Sequence, residues 1–217
     1  MKNAPYDRKN SEPIQITPRE YGGLQNAYDF FNRELFGDAL PDVFLTYQRR
    51  ARSHGYFSPD RFSARIGEFD RHELALNPDS FTGRTDREIC STLVHEQVHI
   101  RRHQIKGKTM RYHDKAWGAL MKEIGLHPSA TGKPGGKETG TQMTHYIIDG
   151  GPFDVAFAKL EKDGWQLNLQ STHESKKRGV DKNKLKFSCG SCGQNAWGKP
   201  DLQITCTLCG AEMPVAE

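Results

Sequence analysis

The sequence predicts an α+β fold: a helix, a small antiparallel sheet, a long second helix, a following helix and a small C-terminal unit built on cysteines. Three observations predict it. Apolar residues recur at helical spacing behind start signals at Thr17 and Thr85. Between those segments, residues 40–77 fall into short runs that alternate apolar and polar. Four of the five cysteines form two Cys-x-x-Cys pairs near the C-terminus.

Residues 1–15 are polar, carry two prolines and read as a disordered lead. Thr17-Pro18-Arg19-Glu20 offers an N-cap, a proline at the first helical position and a glutamate three residues after the cap. Tyr21, Leu24, Tyr28, Phe31 and Leu35 then define one apolar face, and Gly37 is the expected stop. Val43, Leu45 and Tyr47 alternate with Phe44, Thr46 and Gln48 and read as a strand. Gly55–Phe57 and Arg61–Gly67 suit a hairpin across Ser58-Pro59-Asp60, and Glu73–Asn77 a further strand closed by Pro78. Thr85-Asp86-Arg87-Glu88 is a second capping box, opening a helix through His99. A third helix is expected over Asp114 to Ile124, with Gly125 as its end.

Residues 129–141 are rich in Gly, Ser and Thr without an apolar period, and read as a mobile loop or linker. Phe153, Phe157 and Leu160 suit a short helix and Trp165–Leu169 a strand; the charged stretch 171–184 reads as a second linker. The expected organisation is therefore a lead over 1–15, a main domain over 16–128, a loop, short ordered segment and linker over 129–184, and a Cys unit over 185–217.

With 217 residues the chain is long enough to bury a core without disulfides. No run approaches the ~18 apolar residues of a membrane span, so membrane association is not expected. The first fifteen residues hold no apolar stretch of the signal-peptide kind. Lys+Arg 31 against Asp+Glu 27 leaves +4, too mild a balance to establish nucleic-acid binding by itself. Paired cysteines without an export signal read as metal ligands in a reducing cytosol rather than as disulfides.

His95-Glu96-x-x-His99 carries the chemistry. Residues four apart on a helix share a face, so two imidazoles can converge on one Zn²⁺ at ~2.0–2.1 Å. Glu96 follows the first ligand and can reach a water on the metal, whose pKa zinc can lower to ~7. Nine His and thirteen Glu give about 0.02 such matches by chance in this length. A third protein ligand is needed, with a fourth position left for water or substrate. His103, His113, His127, Glu123 and His145 are the candidates. Ligands at i, i+4 and i+8 of one straight helix diverge from a single point, which turns His103 toward solvent. His113 follows a connection that lets the chain turn back, and is preferred.

The segment STLVHEQVHIRRHQIKGKTMRYHDKAWGALMKEIGL resembles the SprT-like zinc metallopeptidase family, as does the upstream ELALNPDSF. His95, Glu96 and His99 match the family's first element and His113 its third ligand. Asp114 stands where the family often has Gly, and Trp117 where it often has Phe; Asp114 is thereby a candidate acceptor beside the site. The resemblance covers roughly residues 17–127, together with a C-terminal zinc ribbon of the kind many members carry. It implies a zincin-like metallopeptidase domain, a catalytic zinc on His95, His99 and His113, and Glu96 as the catalytic base. It also implies substrates among DNA-associated or DNA-crosslinked proteins, with DNA, including single-stranded DNA, as a partner, and a cytoplasmic, in a bacterium nucleoid-associated, location. No organic cofactor is expected.

Cys189, Cys192, Cys206 and Cys209 can form two knuckles around one structural zinc, a closed set with no open position. Cys90 reads as a small core residue. Basic residues crowd 101–115 (Arg101, Arg102, Lys106, Lys108, Arg111, Lys115) and 176–186 (Lys176, Lys177, Arg178, Lys182, Lys184, Lys186), where they could meet phosphates. Trp197 could stack on an unpaired base or pack the Cys unit, packing being the expected role. Met143-Thr144-His145-Tyr146 is expected to be a strand of mixed exposure outside the catalytic set. The competing readings are a nucleic-acid-binding zinc protein without proteolysis and a metal-dependent peptidase indifferent to DNA.

Overall fold

The structure, a computed structural model, describes residues 15–67, 70–107, 112–172 and 184–216. The lead expected over 1–15 lies, apart from Gln15, outside the described residues, as do Lys108, Arg111, Lys176, Lys177, Arg178 and Lys182. The chain divides into two compact units, Met1–Glu174 and Ser175–Glu217. Among the described residues no helix is long and apolar enough to cross a membrane.

The first unit opens with α1 (Ile16–Phe36), which ends on Gly37 in the left-handed conformation that glycine adopts freely. The expected capping box at Thr17 does not form. Gln15 precedes the helix without a side-chain cap, and Glu20 is turned into the protein at 8 % exposure instead of reaching back. Three strands follow: β1 (Phe44–Tyr47), β2 (Gly55–Ser63) and β3 (Asp70–Leu76). Their order is β1-β3-β2, with β2 antiparallel and β1 parallel to β3. The sheet is mixed, which corrects the antiparallel expectation. β3 holds the buried run Glu73–Leu76 and takes the centre, so β1 can pair only with its free edge, where two chain reversals leave it running parallel.

Residues 55–67 do not fold into their own hairpin. Both halves of β2 pair with β3, Gly55–Ser58 against Glu73–Leu76 and Phe62–Ser63 against Asp70–Arg71. Ser58-Pro59-Asp60 becomes an irregularity within one strand, with Asp60 at φ 48°.

After a 3₁₀ turn at Pro78–Ser80, α2 (Asp86–Lys106) starts on the expected capping box. Thr85 Oγ1 accepts from the Glu88 amide at 3.2 Å, and the Thr85 amide donates to Glu88 Oε2 at 2.8 Å. α3 (Lys115–Glu123) is capped by Asp114, whose Oδ1 accepts from the Trp117 amide at 2.8 Å. Gly125, at φ 88°, turns the chain into β4 (Leu126–Ser129). A Cβ there would stand 3.0 Å from the backbone nitrogens of Pro152 and Phe153, so glycine also permits close packing on the start of α4 (Pro152–Lys162). β4 pairs antiparallel with β5 (Thr144–Ile147).

The first unit does not end at residue 128. Phe153, Ala156, Phe157 and Leu160 of α4 sit in one core with Leu24, Tyr28 and Phe31 of α1, Leu93, Val94 and Val98 of α2, and Trp117 and Met121 of α3. Each such side chain contributes about 1.5–3 kcal/mol on burial, which binds α4 to this unit. The Gly-rich stretch folds back on it: the His113 amide donates to the Gly140 carbonyl at 2.8 Å and the Gly140 amide to the His113 carbonyl at 3.2 Å. Trp165–Leu169 is not a strand. It is tied down singly, Trp165 Nε1 donating to the Gly23 carbonyl at 2.8 Å and the Leu167 amide to Asp86 Oδ2 at 3.1 Å.

The second unit consists of two antiparallel pairs. β6 (Leu185–Ser188) pairs with β7 (Asn195–Gly198), and β8 (Thr205–Cys206) with β9 (Ala211–Glu212). Its core is Phe187, Cys189, Cys206 and Met213. Leu202–Ile204 lead into β8 without strand pairing of their own.

Candidate functional site

α2 carries His95 and His99 one turn apart, with ring centroids 5.1 Å apart. Its position is fixed from behind by Gln97, wholly buried, whose Nε2 donates to the Tyr28 carbonyl of α1 at 2.9 Å. His113 precedes α3 and is brought back to α2 by two devices. Gly140 holds its backbone, and Arg102 of α2 donates to the cap residue Asp114. Asp114 thus joins the two helices and accepts from no metal-ligand candidate. Arg102 is buried in this role and is not a phosphate contact. Trp117 lies against all three imidazoles, with centroid distances of 5.1, 5.4 and 4.4 Å to His95, His99 and His113.

One ring nitrogen from each of His95, His99 and His113 lies within 4.8 Å of the others. His113 Nδ1 donates to the Gly140 carbonyl at 3.0 Å, which leaves Nε2 as a bare lone pair. That atom stands 3.1 Å from His99 Nε2, close to the ~3.3 Å edge of a tetrahedron with ~2.0–2.1 Å metal–nitrogen bonds. Burial pushes His95 well below the ordinary imidazole range and His99 down to about 3. Burial lowers His113 too, against the Gly140 carbonyl that pulls it up. All three rings are therefore neutral at pH 7, the state a metal requires. Glu96 is 6 % exposed; burial raises it to about 8, and the Phe57 amide acts in the opposite sense.

His95, Glu96, His99 and His113 line a common cleft of about 1190 Å³. Arg50, Arg52, Tyr56, Arg61, Glu73 and Met143 also line it. The carboxylate of Glu73 is held there by Thr46 Oγ1 at 2.9 Å and Tyr56 Oη at 3.1 Å.

The other ligand candidates lie elsewhere, with one exception. His127 stacks on Tyr146 at 4.8 Å across β4 and β5, and Glu123 is exposed at the end of α3. His103 is half-buried against Phe57 and His72 rather than facing solvent. The exception is His145, which sequence reasoning left outside the site. Its Nδ1 stands 3.0 Å from His95 Nδ1 and its Nε2 2.9 Å from Ser91 Oγ. Burial holds it down to about 3, hence neutral. Ser91 donates onward to the Glu88 carbonyl at 2.8 Å, so the protons run one way. His95 Nδ1–H donates to His145 Nδ1, and His145 Nε2–H to Ser91. His95 is left with a bare Nε2 facing the cleft. Its partner comes from β5, beyond the Gly-rich stretch, and no spacing rule connects the two. His145→Ala is expected to weaken metal affinity by ~10–100-fold, measured by competition with a chromogenic chelator.

In the second unit Cys189, Cys192, Cys206 and Cys209 place their sulfurs within 4.8 Å of one another, all as free thiols. The amides of Cys192 and Ser191 hold the Cys189 thiol down to about 6, favouring thiolate. Trp197 is 65 % exposed and does not pack this unit. Cys90 is buried in the first core, as expected.

A family model for SprT-like proteins matches residues 24–144. The chain belongs to the SprT-like family. The matched span of this SprT-like chain holds His95, Glu96, His99 and His113 and stops one residue before His145. Membership carries a metallopeptidase-type function. The chain is 51% identical over 58 residues to an uncharacterized protein in the mucB 3' region of Salmonella typhimurium, covering 27% of this chain and 78% of that one. It is 25% identical over 117 residues to Protein SprT of Pseudomonas paraeruginosa (strain DSM 24068 / PA7), covering 54% of this SprT-like chain and 62% of that relative's length. No solved structure matches it significantly.

Proposed function

We propose that this SprT-like chain is a zinc-dependent endopeptidase acting on DNA-associated or DNA-crosslinked proteins. The observation that carries the reading is the convergence of three neutral imidazoles beside the buried carboxyl group of Glu96 in one cleft. On this reading His95, His99 and His113 hold a catalytic zinc, His95 oriented by His145. A zinc ion held there supplies Lewis acidity toward water and the scissile carbonyl. Glu96 takes a proton from the attacking water and returns it to the leaving amine. The four cysteines hold a second, structural zinc and make the C-terminal unit a zinc ribbon. Free thiols in that role fit a reducing cytosol, near the nucleoid if the cell is bacterial.

DNA as partner is supported by the outer face of the second unit. Lys186 and Trp197 are directly paired across β6 and β7, and both side chains are exposed. An aromatic surface beside a cation suits stacking of an unpaired base, worth ~1–3 kcal/mol per base. The decisive assay is cleavage of a DNA-bound protein with and without single-stranded DNA, in zinc and after chelation. Cleavage is expected to need zinc and to rise with DNA. Cleavage that survives metal removal overturns the zinc mechanism. Cleavage indifferent to DNA leaves a DNA-independent peptidase, and DNA binding with no cleavage leaves a nucleic-acid-binding zinc protein.

A further inference from the structure

α2 runs one turn past His99 and brings His103 against the sheet. There His103 meets His72 of β3, with ring centroids 5.2 Å apart, and both rings flank Phe57 at 5.7 and 5.5 Å. Asp60, at the irregularity of β2, completes the group: one ligand atom from each of Asp60, His72 and His103 lies within 4.8 Å of the other two.

Two features of this group are unlike an ordinary packed cluster. The Asp60 amide donates to His72 Nδ1 at 3.0 Å, so that nitrogen is unprotonated, and a metal binding it takes the place of this hydrogen bond. The carboxylate oxygen Oδ1 of the same aspartate stands 3.2 Å from it. Two electron-rich atoms thus sit side by side, at the ~3.3 Å spacing of neighbouring ligands on a small tetrahedral ion. Independently, His103 Nδ1 is buried and has no hydrogen-bond partner among the described residues. A buried ring nitrogen without a partner destabilises the fold unless something binds it. A cation drawn to the group relieves the repulsion, and a small shift of the His103 ring brings its free nitrogen into use.

The geometry points to a further transition-metal site in the first unit, formed by Asp60, His72 and His103. Two imidazoles and a carboxylate select Zn²⁺, with Co²⁺ and Ni²⁺ as substitutes, over Mg²⁺ or Ca²⁺, which prefer oxygen sets. Three protein ligands leave room for water. This site is separate from the His95 centre, because none of its three residues lines the cleft. Pro59 and Arg61, on either side of Asp60, do line it. A cation held here clamps the irregular part of β2 to α2, one turn beyond His99, and so fixes one part of the cleft lining. His103, at i+8 from His95 on α2, diverges from the point shared by His95 and His99 and serves a different ion, completed from the sheet.

The test counts metal ions on the intact full-length chain by native mass spectrometry after equilibration with zinc, and again with cobalt. Wild type is expected to carry one ion more than Asp60→Asn, His72→Gln or His103→Ala. Asp60 is exposed, so Asp60→Asn keeps the fold even where a histidine substitution disturbs packing. It is expected to weaken uptake of that one ion by ~10-fold or more, as loss of a charged ligand should. Added zinc should also shift the ring ¹⁵N resonances of His72 and His103 in wild type. Equal counts in wild type and all three variants, with no shift of those resonances, overturn the site. The readout is a difference of one ion, so it stands or falls independently of how many ions the His95 and cysteine centres hold.

Discussion

Replacing Glu96 by glutamine is expected to lower peptide-bond cleavage by ~10²–10⁴-fold while the metal content of the chain stays unchanged. The two side chains have the same shape, so the amide fits the same buried place on α2. The ring nitrogens of His95, His99 and His113 are left where they are, because each is positioned by other groups. His95 leans on His145, His113 on Gly140, and all three on Trp117. Stability should not fall either. Burial already disfavours the charged carboxylate, raising it to about 8, and a neutral amide removes that cost. Only the ability to accept and return a proton is lost. Cleavage rates, zinc per chain and the thermal midpoint, measured on the same preparation, separate these effects. Undiminished cleavage removes Glu96 from its role. Loss of zinc together with cleavage assigns it to metal retention instead.

The parts of this protein that could be read in the sequence are those whose determinants are local. The capping box at Thr85 and the Gly37 stop are formed because each depends on a few adjacent residues. His113 was reachable because a turn between two helices restricts where the chain can return. Where several elements compete, local signals failed. Thr17 lost its cap because Glu20 is buried. The hairpin at Ser58-Pro59-Asp60 yielded to β3, a buried central strand that pairs with both halves. The parallel edge formed by β1 follows from which strand holds the centre, and burial rather than alternation decides that. α4 was foreseen as a helix, but its place in the first core depends on partners such as Phe31, whose ring stacks on Phe153 at 5.5 Å. His145 is a ligand candidate in the sequence, but its place beside His95 is not legible there for the same reason. Its importance lies in one hydrogen bond to a residue far away in sequence, which no local spacing selects from the other candidates.

Chelating zinc, or changing Cys206 to serine, is expected to unfold the second unit and leave the first folded. The buried core of the second unit is Phe187 and Met213 with two of the four cysteines, and Leu185, Ala196, Ile204 and Ala211 pack against it partly buried. So small a core does not hold a unit of this size in order by itself. Four short strands in two separate pairs add little, since an isolated hairpin is marginal in water. A structural zinc supplies ~10–16 kcal/mol in comparable small units, and is the expected source of the missing stability. Serine in place of Cys206, 5 % exposed, replaces a thiolate with a poor zinc ligand and puts a hydroxyl among Phe187, Cys189 and Met213. The first unit has its own core, which contains no residue of the second. Amide resonances of residues 185–216 should therefore collapse toward random-coil positions while those of α1 through α4 keep their dispersion. In the Cys206→Ser chain, kept in zinc, cleavage of a short peptide should persist, whereas chelation abolishes it; any stimulation by single-stranded DNA should vanish, because Lys186 and Trp197 share a face only while β6 and β7 are paired. A second unit that stays folded without zinc contradicts this account of its stability. DNA stimulation that survives the unfolding moves the DNA contact to the first unit, where Arg50, Arg52 and Arg61 line the cleft.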